Sequence, residues 1–136
     1  MSLNPVKSFV GTHCGPYPIV TSEEMFRAFA SAVGDTYSGE APPTWITLCR
    51  LGEFDLMTKM GIPIENVLHG DQEYHYLSPI HPGDVVNYST VLAQALRKRG
   101  KDVTLTFMVF ETDLSVAGQA VAHTRSTLIY REILRD

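Results

Sequence analysis

The stretch 44-TWITLCRLGEFDLMTKM-60 decides the fold, because it is apolar around most of its circumference when it is drawn as a helix. Its apolar positions are Trp45, Ile46, Leu48, Cys49, Leu51, Phe54, Leu56, Met57 and Met60. A helix of this kind is buried on most sides. Pro42 and Pro43 cannot continue a helix backwards, and Thr44 could cap its start. Since Gly61 suits a C-terminal stop, the sequence predicts a central helix over 44–60 that other elements surround.

A shorter helix is predicted ahead of it, between Thr21 and Gly34. Thr21 is followed three residues later by Glu24. This is the capping-box arrangement, in which each side chain satisfies a backbone N–H at a helix start. Apolar residues then recur at helical spacing at Met25, Phe26, Phe29, Ala32 and Val33. One face of this helix is therefore expected to point inward.

From residue 64 onward the apolar pattern has a period of two, which is typical of strands. Strands rich in Val, Thr, Tyr and Phe are predicted near 67–77, 84–96, 102–112 and 118–131. The breaks between them are 78-SPIHPGD-84, 97-RKRGK-101 and 113-DLSVAG-118. Since the last three strands follow one another through short turns, they should pair antiparallel. A buried helix followed by a long antiparallel sheet predicts an α+β hotdog fold, and 136 residues fit a single domain over 1–136.

The composition excludes several classes of protein. Hydrophobic residues make up 44% of the chain and charged residues 19%, which fits a globular protein. The formal net charge of −4 and the pI of about 5.7 do not favour nucleic acid. No apolar run reaches the roughly 18 residues that span a bilayer, and the start lacks the apolar region of a signal peptide. The chain is therefore expected to be cytoplasmic, with no membrane and no nucleic-acid partner.

The basic run and the two cysteines give weaker signals. The run 97-RKRGK-101 is predicted to be a solvated hairpin tip; the alternative is a local patch that attracts a phosphate-bearing ligand. Cys14 and Cys49 lie in unrelated contexts without metal-type spacing, so we expect free thiols in a reducing compartment. The sequence contains no glycine-rich phosphate loop, nucleophile elbow or CxxC motif, and no cofactor is predicted.

Four segments together resemble one known family. They are 33-VGDT-36, 41-APPTW-45, 68-LHGDQEYHYLSPIHPGD-84 and 119-QAVAHTRSTLIYR-131. They look like the MaoC-like acyl dehydratases, specifically the N-terminal hotdog unit of the fatty-acid-synthase-type dehydratase group. The resemblance covers roughly residues 8–132. It implies reversible addition of water to a 2-enoyl group that is carried as a thioester on coenzyme A or on an acyl-carrier protein.

Active members of that family share the motif Gly-Asp-x-Asn-Pro-Leu-His, whose Asp and His act on a water and on the α-carbon of the acyl group. Gly34 and Asp35 match its Gly-Asp. Its last four positions are here Tyr37, Ser38, Gly39 and Glu40. The motif His is missing, although general acid–base catalysis of this kind uses two titratable groups that converge on one substrate. The resemblance therefore implies a substrate-binding unit that pairs with a catalytic hotdog partner.

Asp35 and Glu40 are the candidate catalytic residues. Asp35 is either a remnant of the catalytic pair that faces a tunnel or a turn aspartate that hydrogen-bonds nearby backbone. Glu40 could replace the missing His as a base only if burial made its carboxylate more basic. The acyl chain is expected to lie between the helix 44–60 and the strands, entering near Thr44. The candidate substrate-binding residues are Pro43, Thr44, Trp45, His69 and Gly70.

A row of polar side chains on the first predicted strand has three interpretations. The residues that share one face by the period of two are His69, Asp71, Glu73 and His75. An extended strand spaces such residues about 6.6–7 Å apart, so only neighbours could share a metal ion, and no metal site is predicted. We expect a polar face or an interface with another hotdog unit; the third interpretation is a role for His69 at the ligand tunnel.

Three functions remain open from the sequence. The chain is part of an acyl-thioester hydratase/dehydratase, or a non-catalytic partner that binds the acyl tail, or a hotdog thioesterase that uses Asp35 or Glu40. The missing His favours the role of a partner within an assembled dehydratase. One hotdog sheet leaves a long edge strand and an exposed face. We therefore expect association with a second hotdog, as a homodimer or as a heteromer with a catalytic MaoC-like subunit.

Overall fold

The computed structural model describes residues 4–133, which form one curved antiparallel sheet around a short helix. The helices are α1 (Glu23–Ala32) and α2 (Leu51–Lys59), and the strands are β1 (His13–Val20), β2 (Val67–Tyr76), β3 (Val85–Arg99), β4 (Val103–Val116) and β5 (Gln119–Ile133). Short 3-10 helices cover Asn4–Phe9, Trp45–Leu48 and Ile64–Asn66. The strand order is β1-β3-β4-β5-β2, so β1 and β2 are the sheet edges. The predicted helix wrapped by an antiparallel sheet is confirmed.

Helix α2 lies closest to β1 and β3, and the long strands β3, β4 and β5 together form the core face beneath it. Along β4, every second residue from Thr104 to Leu114 is buried. This alternation arises because successive side chains of a strand point to opposite faces. The three strands run 14 to 15 residues each, far beyond the usual strand length, which gives the sheet enough span to curl around the helix.

Helix α2 lies in close contact with the sheet at Gly52. A Cβ atom added at Gly52 would lie 2.4 Å from both Cβ and Oγ1 of Thr90, so the approach depends on the missing side chain. Beneath this contact, Thr90 Oγ1 lies 2.8 Å from Thr112 Oγ1, and both residues are fully buried. The hydroxyl groups thus pair with each other instead of remaining unsatisfied in the core.

The central helix is shorter than the sequence predicts. Instead of one helix over 44–60, a 3-10 helix covers Trp45–Leu48 and α2 begins only at Leu51. Cys49, with a ψ of 67°, leaves the helical region between the two pieces. Thr44 makes no side-chain capping hydrogen bond, so the predicted cap is wrong.

The break in the helix coincides with a division of the core into two clusters. The cluster around the 3-10 helix includes Phe26, Trp45, Ile46, Ile80, Val86, Tyr88 and Leu114. The cluster around α2 includes Leu56, Met57, Leu92, Met108, Phe110 and Leu128. Each helical piece follows its own part of the curved sheet, so tertiary packing overrides the continuous helical period.

Helix α1 begins at a different cap from the one predicted. Ser22, not Thr21, is the N-cap, and its Oγ accepts a hydrogen bond from Met25 N at 3.1 Å. Thr21 is buried instead, with its hydroxyl within 3.1 Å of the His81 carbonyl oxygen and 2.7 Å of the Asp84 carbonyl oxygen. The predicted helix is therefore right, but Thr21 serves to tie the turn before β3 to the end of β1.

Strand β1 is not predicted by the sequence, because the segment 13-HCGPYPIV-20 carries a glycine and two prolines. It pairs antiparallel with β3, and the register shifts between Cys14 and Tyr17, around Gly15 and Pro16. Proline is tolerated here because β1 is an edge strand, where half of the backbone N–H groups face away from the sheet.

The strands β3 and β4 extend beyond their predicted ends. Arg97, Lys98 and Arg99 continue β3, so the predicted hairpin tip is reduced to the three residues before β4. Residues 113–116 continue β4, and the turn is made by Ala117 and Gly118, with φ of 51° and 80°. Glycine adopts such a positive φ at little cost, which explains the turn at this point.

Candidate functional site

Two adjoining pockets lie where the segment after α1 crosses the end of the sheet. The smaller, of about 260 Å³, is lined by Asp35, Thr36, Tyr37, Ser38, Glu40, Pro42 and Pro43. The larger, of about 430 Å³, is lined by Ser38, Glu40, Ala41, Pro43 and residues 76–80. The two share Ser38, Glu40 and Pro43, so together they form one continuous candidate site. Of the predicted site residues, it brings together Asp35, Glu40 and Pro43.

The segment is held in place by contacts to α1 and to the turn before β3. Gly34 has a φ of 79° and turns the chain, and Asp35 N then donates to the carbonyl oxygen of Ala30 at 2.8 Å. Further along, Ala41 N donates to the carbonyl oxygen of Ile80 at 2.8 Å. The carboxylates of Asp35 and Glu40 are exposed between these two anchors.

A cation–π contact also fixes the middle of the segment. The Arg27 guanidinium lies 4.5 Å from the ring centroid of Tyr37, and Glu23 accepts a hydrogen bond from Arg27 Nε at 2.8 Å. Tyr37 occupies the position of the motif's Asn. A residue that departs from the motif therefore anchors the segment to α1.

Tyr76, at the end of β2, closes the larger pocket from the opposite side. Its hydroxyl donates to the carbonyl oxygen of Pro43, and the Pro42 carbonyl oxygen lies 3.5 Å away. Burial is the main cause that raises the pKa of Tyr76, and the nearby Tyr74 raises it further. The hydroxyl therefore stays protonated and acts as a donor. The sequence gives no signal for this contact, because its partners are 33 and 34 residues apart along the chain.

Thr44 and Trp45 lie behind the pockets. Trp45 is fully buried and packs edge-on against Phe26, with ring centroids 5.1 Å apart and an interplanar angle of 83°. Thr44 is exposed next to it, and neither residue lines either pocket. Trp45 therefore supports the wall of the site from within the core.

His69 and Gly70 lie on β2, away from the two pockets. The register of β2 against β5 shifts between His69 and Asp71, so Gly70 forms a bulge. His69 faces Leu128 on the helix side of the sheet, whereas Asp71 faces Thr127 on the outer side. The prediction that one face carries the whole polar row is therefore wrong for His69, because the bulge inserts one extra residue and reverses the alternation.

Of the rest of the row, Glu73 and His75 adjoin an ionic cluster on the outer face, with His75 Nε2 3.7 Å from Glu73 Oε1. His123 lies between two carboxylates, 2.7 Å from Asp113 Oδ1 and 3.3 Å from Glu111 Oε1. Arg125 binds the other oxygen of Glu111 at 3.0 Å, and the ring of His75 lies 6.4 Å from that of His123. Within residues 4–133, no group of three or more His, Cys, Asp or Glu side chains is arranged to hold a metal ion.

The two cysteines are buried and form no disulfide. Burial raises the pKa of Cys49 from 9.0 to about 12, so its thiol stays protonated. A protonated, buried thiol is a poor nucleophile towards a thioester. The ionisable groups that line the candidate site are thus Asp35, Glu40 and the tyrosine hydroxyls, and no histidine lines either pocket.

No helix within the described part of the chain combines the length and the apolar character that a membrane span requires.

The arrangement of a short helix inside a five-stranded antiparallel sheet defines a hotdog domain. Residues 37–124 match the family described as FAS1-like, dehydratase domain region, and the chain belongs to this family. It is also 30% identical over 116 residues to the UPF0336 protein of Streptomyces griseus subsp. griseus, covering 71% of this chain and 77% of that protein.

Solved structures confirm the hotdog fold and the resemblance to MaoC-like dehydratases. The structure superposes with a TM-score of 0.76 on a chain of the C-terminally truncated HadBC (3R-hydroxyacyl-ACP dehydratase) complex from Mycobacterium tuberculosis, at 19% identity, covering 89% of this chain and 96% of that one. A MaoC-like dehydratase superposes with a TM-score of 0.74 at 20% identity, covering 99% of this chain and 44% of the longer one. At these identities the likeness concerns the fold alone.

Proposed function

We propose that this chain is the substrate-binding subunit of an acyl-thioester hydratase/dehydratase, of the 2-enoyl-CoA or acyl-carrier-protein type, and that a hotdog partner supplies the catalytic Asp and His. One observation carries the proposal: the candidate site keeps the Asp of the family motif at Asp35 but has Glu40 in place of its His. Protonation and deprotonation on one substrate require two groups with complementary roles. Two exposed carboxylates do not provide such a pair.

The walls of the larger pocket support a role in holding an acyl chain. Ala41, Pro43, Leu77, Pro79 and Ile80 contribute apolar surface, and its volume of about 430 Å³ falls in the range of small-molecule sites. The Tyr76 hydroxyl engages the Pro43 carbonyl oxygen at the rim, which fixes the width of the pocket. In this proposal Asp35 and Glu40 stand at the mouth beside the thioester carrier.

The two sheet edges support a partner on the β2 side. Strand β1 carries Pro16 and Pro18 and an irregular register, which protect an edge from further pairing. Strand β2 spans ten residues, Val67–Tyr76, with no proline and no lysine, and most of them are exposed. An open edge of this length is suited to continue the sheet into another hotdog domain. The structural neighbour HadBC is a 3R-hydroxyacyl-ACP dehydratase complex.

Hydration of crotonyl-CoA tests the proposal. The isolated chain should hydrate it very slowly, because loss of one member of an acid–base pair typically lowers the rate by about 10²- to 10⁴-fold. Addition of a hotdog partner that carries Gly-Asp-x-Asn-Pro-Leu-His should restore the rate, and Asp35→Asn in this chain should then change it little. Rapid turnover by the isolated chain, abolished by Asp35→Asn or Glu40→Gln, contradicts the proposal. Release of free thiol in the same assay assigns a thioesterase instead.

A further inference from the structure

The outer face of the sheet beside the C-terminal half of β2 is rich in carboxylates. Its ionisable side chains are Asp71, Glu73, His75, Glu111, Asp113, His123 and Arg125. Four of these are carboxylates, whereas Arg125 is the one guanidinium among them and already binds Glu111 at 3.0 Å. On the strand itself, Asp71 and Glu73 are exposed; we call these two residues the acidic edge.

The acidic edge constrains how β2 can pair with a copy of itself. Identical edges form a closed pair only about a twofold axis, in which the same patch contacts itself. Strands that pair about such an axis are antiparallel. In the combined sheet the helix-facing sides of both copies lie on one side, and the outer faces of both copies lie on the other. Residues that face one another across the junction then have Cβ atoms about 4.5–5.5 Å apart.

The register that pairs the whole strand brings carboxylates together. With the bulged Gly70 set aside, Gln72 is the middle residue of β2, so the axis passes through Gln72. Asp71 of each copy then lies directly opposite Glu73 of the other. A shift of the axis by one residue places either Asp71 or Glu73 opposite its own copy. Each of these registers sets like charges opposite one another, which destabilises a cross-strand pair.

We propose that the hotdog partner of this chain presents lysine or arginine side chains opposite the acidic edge, so that Asp71 and Glu73 select an unlike subunit over a second copy. The inference rests on the proposed pairing through β2 and adds the chemistry of the partner's edge strand. Opposite charges at facing positions stabilise a junction that like charges disfavour. The same two residues therefore attract the partner and reject self-association.

Charge reversal on the acidic edge tests this inference by sedimentation velocity. In a dimer of Asp71→Lys, the lysine of each copy faces Glu73 of the other copy, so two opposite-charge pairs form. In a dimer of Glu73→Lys, the lysine of each copy likewise faces Asp71 of the other. Each single variant should tighten self-association by about 10- to 100-fold in dissociation constant. The double variant Asp71→Lys/Glu73→Lys sets cations opposite cations and should return to the weak self-association of the wild type. Asp102→Lys, which makes the same change of net charge away from β2, is the matched control and should have no effect.

Mixing provides the decisive comparison. The double variant is a mimic of the proposed basic partner, so an equimolar mixture with the wild-type chain should form a dimer that neither forms alone at the same concentration. Circular dichroism checks that each variant is folded. If a lysine variant does not fold, the uncharged double variant Asp71→Asn/Glu73→Gln replaces it and should self-associate more than the wild type. A wild-type dimer weakened by either single reversal, or a set of folded variants that all behave alike, overturns the inference. Failure of hydratase activity in a well-formed assembly with a hotdog partner that carries Gly-Asp-x-Asn-Pro-Leu-His would instead count against the proposed function.

Discussion

The packing beneath α2 and the segment that carries the candidate site are held in opposite ways. Beneath α2, the contact between Gly52 and Thr90 leaves no room for a single added carbon atom, and the neighbouring Leu56 is fully buried. The site segment is exposed at Asp35 and Glu40, and it is fixed by a few hydrogen bonds and one ring contact at its ends and middle.

This difference teaches that the fold and the chemistry depend on separate residues. Side chains in the close-packed interior determine where α2 lies on the sheet, since cores tolerate little change of volume. The side chains at the mouth of the site contribute little packing, so the motif His can be replaced by Glu40 without loss of the fold. A hotdog domain without a complete catalytic pair is therefore physically reasonable, provided that a partner completes it.

The largest expected effect follows from a substitution at the close-packed contact. Gly52→Ala should lower the free energy of unfolding by about 1–3 kcal/mol, because overpacking outweighs the gain in helix propensity, which is at most about 1 kcal/mol. Urea denaturation of the variant measures this loss. A double-mutant cycle with Thr90→Ala should give a cost clearly smaller than the sum of the two single costs, since the added carbon then has room. Strict additivity would show that the contact is not the cause.

An effect of similar size is expected when the interior is titrated instead of mutated. Burial raises the pKa of Cys49 from 9.0 to about 12, so the folded state favours the protonated thiol. The corresponding stability is complete below pH 9 and is lost progressively as the pH rises from 9 towards 12. The loss is at most about 1.4 kcal/mol per pH unit for this one group.

Denaturation midpoints measured from about pH 8 to about pH 11 check this expectation. The midpoint of the wild type should fall across the upper part of the range, and that of Cys49→Ala should fall with a shallower slope, whatever its stability at neutral pH. Tyr88, whose pKa burial also raises, contributes to the slope that remains. An identical slope in the two proteins would remove Cys49 as its cause.

A third prediction concerns the hydrogen bond between Tyr76, at the end of β2, and Pro43 in the site segment. Tyr76→Phe removes the hydroxyl that donates to the Pro43 carbonyl oxygen and should cost about 0.5–1.5 kcal/mol of stability, the usual net value of one hydrogen bond. If the contact also fixes the width of the larger pocket, the affinity for a medium-chain acyl-CoA should change in the same variant. Tyr37→Phe keeps the ring over Arg27 and is the matched control for stability, which we expect to be unchanged.

Much of the fold and part of the candidate site can be predicted from the sequence. Each feature that cannot be predicted has a specific physical reason. The period of two predicts β3, β4 and β5, because buried residues alternate along much of each strand. Strand β1 is not predicted, because its prolines have a low propensity for strands; they are tolerated here at a sheet edge. The bulge at Gly70 had a local signal, since an isolated glycine inside a strand pattern often marks one. The contact between Tyr76 and Pro43 had none, because tertiary packing alone brings them together.

The smallest expected effect on stability is at the mouth of the site itself. Asp35→Asn and Glu40→Gln each remove a charge from an exposed side chain, and such changes usually alter the free energy of unfolding by no more than about 0.5 kcal/mol. If the segment serves ligand binding, calorimetry with an acyl-CoA should nevertheless detect a change in affinity, because both carboxylates stand beside the proposed carrier. Removal of negative charge near a phosphate-bearing carrier should tighten binding, and more so at low ionic strength, where charges are less screened. A loss of stability as large as that of Gly52→Ala would mean that the mouth belongs to the packed interior after all, and the separation between fold and chemistry would fail.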